Sequence, residues 1–176
     1  MSDYPSQLRI MPINSSYDCS KFDCGDQTVN AFLRQFTSGS GDSESSPVFA
    51  AVDELEFING FYSLTASNIE FAEIPQNLAE KISAYPVPTI IIDTIAVHKS
   101  LQGKGVGSRL LIDALQRIHN AVSDMDVMVV LVEAKNDRLR AFYLHYGFIP
   151  LTGSGSRLFL PMDKIEQLFQ DTGNGK

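Results

Sequence analysis

The sequence predicts a single α/β domain in which helices flank a mixed β-sheet. Its clearest sign is a buried aliphatic strand, Thr89–Val97, followed by a glycine-rich turn, a helix-periodic segment and a second aliphatic strand, Met128–Val132. A short turn joins two further strands, Val48–Val52 and Phe57–Thr65, which predicts an antiparallel hairpin and hence a mixed sheet. A chain of 176 residues is long enough for one well-buried core and short for two full-sized domains, so we expect residues 1–176 to form one domain.

Two elements precede the hairpin. Leu8–Ile13 alternates apolar and polar residues like a short strand, and Gln27–Phe36 spaces its apolar residues at helical intervals. Asp26 stands where a helix N-cap is expected. Residues 37–47 combine glycine, serine and acidic residues that bury little area, so we expect a mobile loop there.

The central part of the chain follows the hairpin. Residues 74–88 are rich in proline and predict at most a short helix. The β-branched run Thr89–Val97 predicts a central strand buried on both faces. A helix is expected from about Gly105 to Val122 because apolar residues recur along one of its faces. That face consists of Val106, Leu110, Leu111, Ala114, Leu115 and Ile118.

The C-terminal part of the chain predicts two helices and one strand. Asp137–Tyr146 is predicted to be a helix that ends at Gly147, a residue type common just after helix ends. Leu158–Leu160 predicts a strand, and Met162–Phe169 predicts the last helix.

The net charge of −7 argues against a protein that coats nucleic acid without selectivity. This charge is unevenly distributed along the chain. Residues 1–98 carry four Lys or Arg against thirteen Asp or Glu, whereas residues 99–157 carry eight against five, a local charge of +3. The basic surplus therefore coincides with the glycine-rich turn.

The chain shows no sign of a membrane segment or of a metal site. No stretch approaches the roughly 20 apolar residues that span a bilayer, and residues 1–5 lack the features of a signal peptide, so we expect a cytoplasmic protein. Cys19 and Cys24 are the only cysteines, and we expect free thiols in a reducing compartment. No histidine lies near them in sequence to complete a metal-ligand set.

The glycine-rich turn carries the clearest chemical signal. Gly103, Gly105 and Gly107 remove the side chains that would keep an anion from the backbone N–H groups, and the following helix directs its positive dipole end to the same place. We therefore expect a di- or polyanion to bind there. Lys104 and Arg109 either add positive charge to this site or are simply solvated.

Two common phosphate loops do not match this turn. A P-loop of a nucleotide hydrolase needs a lysine directly before the Ser or Thr at the helix start, and here Gly107 precedes Ser108. A dinucleotide fingerprint needs its third glycine three residues after Gly105, where Ser108 stands instead.

The turn resembles the coenzyme A loop of GNAT N-acetyltransferases. The resemblance rests on the pattern Gln102-x-x-Gly105-x-Gly107 directly after the strand end Ile95-Ala96-Val97. It implies the GNAT fold, acetyl-CoA as acetyl donor, and backbone N–H groups near Ile95–Val97, where this strand splays from Val129–Val132, as donors to the acetyl oxygen. The cofactor-binding residues that it implies are Ile95, Ala96, Val97, Gln102, Gly103, Lys104, Gly105, Val106, Gly107 and Ser108, together with Asn136.

A second block extends this resemblance. Asn136 is followed by Ala141-Phe142-Tyr143 and by Tyr146-Gly147-Phe148, in the order found in the last block of GNAT proteins. The resemblance implies that Asn136 lies beside the cofactor arm and that Tyr143 protonates the departing thiolate. Tyr146 is expected to be a packing residue.

A narrower resemblance concerns the N-terminal part of the chain. Lys21–Asp26 with Val29–Leu33 is similar to the opening of GNAT toxins from bacterial type II toxin–antitoxin modules. This resemblance implies acetylation of the α-amine of aminoacyl-tRNA, which blocks translation, and neutralisation by a ribbon-helix-helix antitoxin. It also implies a possible homodimer.

The general base is left open by the sequence. Asp93 and Glu133 are each either a base or a structural hydrogen-bonding partner, and an amine of low pKa, such as that of an aminoacyl ester, needs no protein base. His98, His119 and His145 are not assigned a catalytic role, since they fall at a helix end, in polar turns or on exposed faces.

Two other functions compete with the toxin hypothesis. One is an acetyltransferase for a small amine or a protein amino group, and the other is a catalytically silent coenzyme A sensor. The presence of Asn136 and Tyr143 argues against the sensor.

Overall fold

The structure is a computed structural model that describes residues 7–37, 47–69, 87–121, 129–151, 153 and 155–174. The chain divides into two compact units, residues 1–65 with 93–114 and residues 66–92 with 115–176. Seven strands are hydrogen-bonded in the order β1-β2-β3-β4-β5-β7-β6, and β3 and β4 run through both units. Among the described residues, no helix is both long and apolar enough to cross a bilayer.

The first unit contains the hairpin. Strands β1 (Arg9–Pro12), β2 (Val48–Val52) and β3 (Ile58–Ile69) are antiparallel neighbours, with Arg9 opposite Val52 and Phe49 opposite Tyr62. In the turn between β2 and β3, the Asp53 carboxylate accepts hydrogen bonds from the backbone N–H groups of Leu55 and Phe57 at 2.9 and 3.0 Å. These bonds close the predicted turn.

Helix α1 (Gln27–Thr37) covers the core of the first unit. Asp26 caps it as predicted, since its carboxylate accepts a hydrogen bond from the Thr28 N–H at 3.0 Å. The buried core of this unit is apolar, and it includes Phe22, Leu33, Val48, Ala50, Val52, Ile58, Phe61 and Ala96.

The second unit contains the mixed part of the sheet. Strand β5 (Val129–Glu133) pairs in parallel with β4 (Val87–Val97) and antiparallel with β7 (Arg157–Pro161), which also pairs with the two-residue β6 (Ile149–Pro150). Helices α3 (Asp137–His145) and α4 (Met162–Asn174) belong to this unit, and α2 (Val106–Ala121) runs from the first unit into the second.

The fold class and the order of elements agree with the sequence prediction. All six predicted core positions of α2, from Val106 to Ile118, are at most 3% exposed. Gly147 ends α3 with a φ of 91°, as expected for a glycine after a helix. The described residues include only Thr37 and Pro47 of the loop predicted at residues 37–47, and only Val87 and Pro88 of the proline-rich segment 74–88, so both segments lie largely outside them.

Three expectations were wrong in detail. Strand β4 begins at Val87, inside the segment expected to hold at most a short helix. It is not buried on both faces, because Asp93 is exposed and, among residues 88–97, for which burial is described, only Thr89, Ile92 and Ala96 are buried. The β-branched composition therefore predicted a strand correctly but did not predict how much of the strand is buried. Strand β6 was not predicted, since two residues are too few for a periodic pattern.

Candidate active site

Residues 102–108, which we call the phosphate loop after their predicted ligand, follow a short 3-10 turn (Lys99–Leu101) and include the first three residues of α2. Gly103 and Gly105 have φ angles of 78° and 88°, in the left-handed region that side-chain-bearing residues rarely adopt. A Cβ placed on either glycine would meet no other atom of the described residues within 4 Å. Backbone conformation therefore requires these glycines, and they leave open space beside the loop for an anion.

The start of α2 is fixed by its first side chain. Val106 is 1% exposed and anchors the helix in the core of the first unit. The Arg109 N–H donates to the Gly105 oxygen at 3.1 Å and begins the helical hydrogen bonding. The first N–H groups of a helix have no partner within it, so the start of α2 offers N–H groups of the kind that bind anions in other proteins.

The Gln102 side chain binds the protein itself. Its amide nitrogen donates to the backbone oxygens of Val97 and Cys24, both at 2.9 Å. The first bond ties the loop to the end of β4, and the second ties it to a segment 78 residues earlier in the chain. Because the side-chain amide nitrogen is used in this way, the predicted cofactor contact of Gln102 falls to its side-chain oxygen and its backbone groups.

The end of β4 carries the other predicted cofactor residues of the first unit, Ile95–Val97. The register of β4 with β5 ends at the pair Ile92 and Val132, so these three residues lie beyond its last pair. Ala96 is buried, whereas Ile95 and Val97 are partly exposed. Gly107 packs against Val97, since a Cβ on Gly107 would lie 3.8 Å from Cγ2 of Val97, an ordinary contact.

The sequence prediction missed Gly60, on β3. A Cβ at this position would lie 3.0 Å from the Ala96 oxygen and 3.0 Å from Cδ1 of Leu110, so the absence of a side chain lets α2 approach the sheet closely. An isolated glycine inside a strand pattern is the signal that identifies such a position.

The two cations of the loop differ in their surroundings. The Arg109 guanidinium donates to the Leu8 backbone oxygen at 2.9 Å, so this side chain is bound to the residue that precedes strand β1. Lys104 is exposed, and Ser108 is partly exposed. Both cations are exposed, and each is a candidate for adding positive charge to the loop.

The second unit holds Tyr143, on α3. Its side chain is 4% exposed, and its ring packs against those of Phe142 and Phe148 at centroid distances of 5.3 and 5.4 Å. Burial raises the pKa of Tyr143 from 10.0 to about 12. Its hydroxyl makes no hydrogen bond to any residue that the structure describes. The site thus offers a neutral, protonated phenol without a protein acceptor among those residues.

Asn136 begins the same helix. Its side-chain oxygen accepts a hydrogen bond from the Leu139 N–H at 2.9 Å, which makes Asn136 the N-cap of α3. The residue is exposed.

Comparison with known proteins identifies the family. Residues 44–150 match the family described as "Acetyltransferase (GNAT) domain". This chain is a GNAT acetyltransferase. A curated relative, the "tRNA-acetylating toxin" of Mycobacterium tuberculosis, is 30% identical over 148 residues, which are 84% of this chain and 86% of the relative. The "Probable toxin TacT" of Sinorhizobium fredii is 29% identical over 90% of this chain and 93% of the relative.

Solved structures of GNAT toxins share the fold. A crystal structure of a KacT mutant is 32% identical in sequence and has a TM-score of 0.84. The match covers 93% of this chain and 100% of KacT. A structure titled "AtaT complexed with acetyl-methionyl-tRNAfMet" is 29% identical with a TM-score of 0.81, and the match covers 93% of this chain and 99% of AtaT.

The candidate bases of this GNAT chain differ in their contacts. The Asp93 carboxylate accepts a hydrogen bond from the Thr65 hydroxyl, as expected of a structural partner. Glu133 is exposed at the end of β5, opposite Arg157 of β7.

The three histidines are occupied by structural contacts or lie on the surface. Nδ1 of His98 accepts a hydrogen bond from the Asp23 N–H at 3.1 Å. His119 lies 3.9 Å from the Glu166 carboxylate and packs against Phe169. His145 is exposed on α3.

Proposed function

We propose that this chain is the toxin of a bacterial toxin–antitoxin module and acetylates the α-amine of aminoacyl-tRNA, which blocks translation. The observation that carries this proposal is the 30% identity to a tRNA-acetylating toxin over 84% of the chain. The similarity to AtaT, whose structure contains acetyl-methionyl-tRNA, supports the same substrate class. Acetyl-CoA is the acetyl donor, as in the related structure titled "AtaTR bound with AcCoA".

The phosphate loop fits the coenzyme A pyrophosphate. The open side of Gly103 and Gly105 and the N-terminal end of α2 together form a cradle of backbone N–H groups. We assign pyrophosphate binding to residues 102–108 and positioning of the acetyl and pantetheine part to Ile95, Ala96, Val97 and Asn136.

Tyr143 is assigned as the general acid. Bound acetyl-CoA supplies an activated thioester, whose carbon–sulfur bond breaks as the substrate amine nitrogen bonds to the acetyl carbon. The raised pKa keeps a proton on the Tyr143 hydroxyl at physiological pH, where it is available to the leaving sulfur. We assign no protein base, because the α-amine of an aminoacyl ester is already neutral in a large fraction at this pH. The nitrogen releases its surplus proton to water as the amide forms, and the Tyr143 phenolate regains a proton from solvent.

The basic residues of the segment 99–157 are assigned to tRNA phosphates. This segment has a charge of +3 within a chain of −7. Arg138 is exposed on α3, whereas the Arg140 guanidinium donates to the Gly155 oxygen at 2.7 Å and is partly committed to the fold. Charge reversal at Arg138 is therefore the cleaner test of a phosphate contact.

The remaining parts of the proposal concern assembly and location. A ribbon-helix-helix antitoxin is the expected protein partner, in line with the related structure of AtaT bound to the C-terminus of the antitoxin AtaR. We expect a homodimer that acts in the cytoplasm, where charged tRNA is used. We also infer one catalytic domain spanning residues 1–176, since the family match at residues 44–150 includes parts of both compact units.

Incubation with labelled acetyl-CoA and a mixture of charged and uncharged tRNA tests the proposal. We expect label on charged tRNA alone, and a steep fall in this activity as salt rises from roughly 50 to 200 mM, because phosphate contacts release counterions. Acetylation of a small neutral amine would change little over this range. Label that appears only on small amines or proteins would contradict the toxin assignment and leave the general acetyltransferase function.

A further inference from the structure

The N-terminal segment Phe22–Gly25 is bound to the stretch that leads into the phosphate loop. The Asp23 N–H donates to Nδ1 of His98 at 3.1 Å, and the Lys99 N–H donates to the Asp23 oxygen at 2.8 Å. The Cys24 oxygen accepts the 2.9 Å bond from the Gln102 side chain. Three hydrogen bonds therefore connect two consecutive residues to the entrance of the loop, across about 75 residues of chain.

The Asp23 carboxylate organises this segment. Its Oδ1 accepts hydrogen bonds from the Gly25 N–H at 2.9 Å and from the Asn30 amide at 3.0 Å, and its Oδ2 lies 3.1 Å from the Lys99 ammonium. The bond from Gly25, followed by those from Asn30 and Lys99, lowers the pKa of Asp23 from 3.8 to about 2. The carboxylate is therefore ionised at any pH at which the enzyme works.

Asn30 connects the same segment to α1. It is 2% exposed, although it lies on a helix whose other buried residue is Leu33. Its side-chain oxygen accepts from the Cys24 N–H at 3.0 Å, while its amide nitrogen donates to Asp23. Both polar ends of a buried side chain are thus used to hold Asp23 and Cys24, which is a costly arrangement to disturb.

The hydrogen bonds outweigh the ion pair in this network. The Lys99 side chain is 64% exposed, and an exposed ion pair contributes little. The bonds to Oδ1 and to Asn30 instead fix the direction of the Cys24 oxygen, which in turn holds Gln102.

We infer that Asp23 and Asn30 are positioning residues that hold the phosphate loop in its acetyl-CoA-binding geometry through Cys24 and Gln102. This inference rests on the proposed assignment of the loop to acetyl-CoA. A loop held in its bound geometry avoids the cost of ordering when the ligand binds, so loosening it lowers affinity. The effect falls on acetyl-CoA and not on charged tRNA. Loosening the loop therefore raises the KM for acetyl-CoA and leaves kcat and the KM for charged tRNA nearly unchanged.

Paired substitutions at Asp23 separate the hydrogen bonds from the charge. Asp23→Ala removes both acceptor bonds of Oδ1, and we expect the Kd and KM for acetyl-CoA to rise about tenfold. Asp23→Asn retains an oxygen acceptor for Gly25 and Asn30 and loses only the ion pair, so we expect a value within about threefold of wild type. Asn30→Ser, which breaks the amide bonds and leaves the carboxylate in place, should reproduce the tenfold loss if Asp23→Ala fails to fold.

Asp53→Ala is the matched control. Like Asp23, Asp53 accepts an asparagine amide bond together with backbone N–H bonds, two in this case, but it lies in the β2–β3 turn. We expect it to lower the melting temperature without changing the Kd for acetyl-CoA measured by calorimetry.

The outcomes distinguish the inference from the proposed function. If the wild-type protein does not bind acetyl-CoA, the loop assignment and the inference are both wrong. If it binds, and Asp23→Ala and Asn30→Ser bind equally well, the inference alone is wrong. An Asp23→Asn variant as weak as Asp23→Ala would also overturn it, because the charge would then carry the effect.

Discussion

The phosphate loop and the Tyr143 helix use side chains in opposite ways. In the loop, the Gln102 amide binds backbone oxygens of the protein and the Val106 side chain is buried, so the backbone of Gly103 and Gly105 is left to meet an anion beside Lys104. At Tyr143 the backbone oxygen is satisfied by the N–H groups of Tyr146 and Phe148, whereas the hydroxyl has no partner in the described part of the chain. Substitutions that change the backbone conformation of the loop should therefore weaken acetyl-CoA binding. In the helix, loss of the Tyr143 hydroxyl oxygen alone should slow the reaction.

Removal of that one atom should give the largest effect. We expect Tyr143→Phe to lower kcat by about 10²- to 10⁴-fold, because a general acid acts only in the transition state. The Kd for acetyl-CoA should not change. Rapid-quench kinetics and calorimetry measure the two quantities.

Tyr146→Phe is the control for this substitution. Tyr146 is partly exposed, and its ring packs on Phe142 at 5.3 Å, so loss of its hydroxyl should leave kcat within about threefold of wild type. A Tyr143→Phe enzyme with wild-type turnover would reduce Tyr143 to a core residue.

The second test concerns the backbone of the loop. Gly105→Glu places a side chain at a φ of 88° and a negative charge beside the proposed pyrophosphate. Strain of about 1–3 kcal/mol and charge repulsion should together weaken acetyl-CoA binding by roughly 10- to 100-fold, measured by calorimetry.

Gly153→Glu provides the matched control for strain. Gly153 also has a positive φ, 78°, and a Cβ there would meet no described atom within 4 Å, but it lies in the β6–β7 connection. We expect a similar loss of stability without a change in acetyl-CoA affinity. Unchanged affinity in a folded Gly105→Glu variant would refute the loop assignment.

A third test concerns the sheet surface under the loop. We expect Gly60→Ala to lower the free energy of unfolding by about 1–2 kcal/mol, because its Cβ would lie 3.0 Å from the backbone oxygen of Ala96. Urea denaturation measures the change. Gly155→Ala is the control, since a Cβ at Gly155 would have no described neighbour within 4 Å and should cost little. Equal stability of the two variants would show that the backbone at Ala96 and the Leu110 side chain shift at little cost to accommodate a methyl group.

Most of the fold was predictable because its signals are local. The apolar spacing of α2, the cap at Asp26 and the glycine after α3 each depend on a few neighbouring residues. The start of β4 was missed because Pro88 counted against a strand, although proline is compatible with the first residues of one. The exposure of Asp93 depends on what covers each face of β4, which composition does not report.

The candidate site could be assigned from sequence only where its residues are contiguous. Residues 102–108 and the segment from Asn136 to Phe148 are each recognisable motifs. The bonds from Asp23 and Cys24 to the loop entrance were not predicted, because they join residues about 75 positions apart. A buried Asn30 on the apolar face of α1 was the available signal, since such a residue must find polar partners.

Burial of Tyr143 should have a smaller, measurable effect at alkaline pH. The phenol loses its proton at about pH 10 in the unfolded chain and at about pH 12 in the folded one. Between these pH values the unfolded state binds fewer protons than the folded state, so the free energy of unfolding falls as pH rises. The stability that depends on protonated Tyr143 is fully present only below pH 10. We expect a loss of about 1 kcal/mol from pH 9 to pH 11.

Tyr143→Phe lacks this loss, so the stability difference between wild type and variant, taken from urea midpoints at both pH values, should shift by that amount. The other tyrosines cancel in the difference. A constant difference would mean that the Tyr143 hydroxyl titrates normally and that the ring is less enclosed than the structure shows.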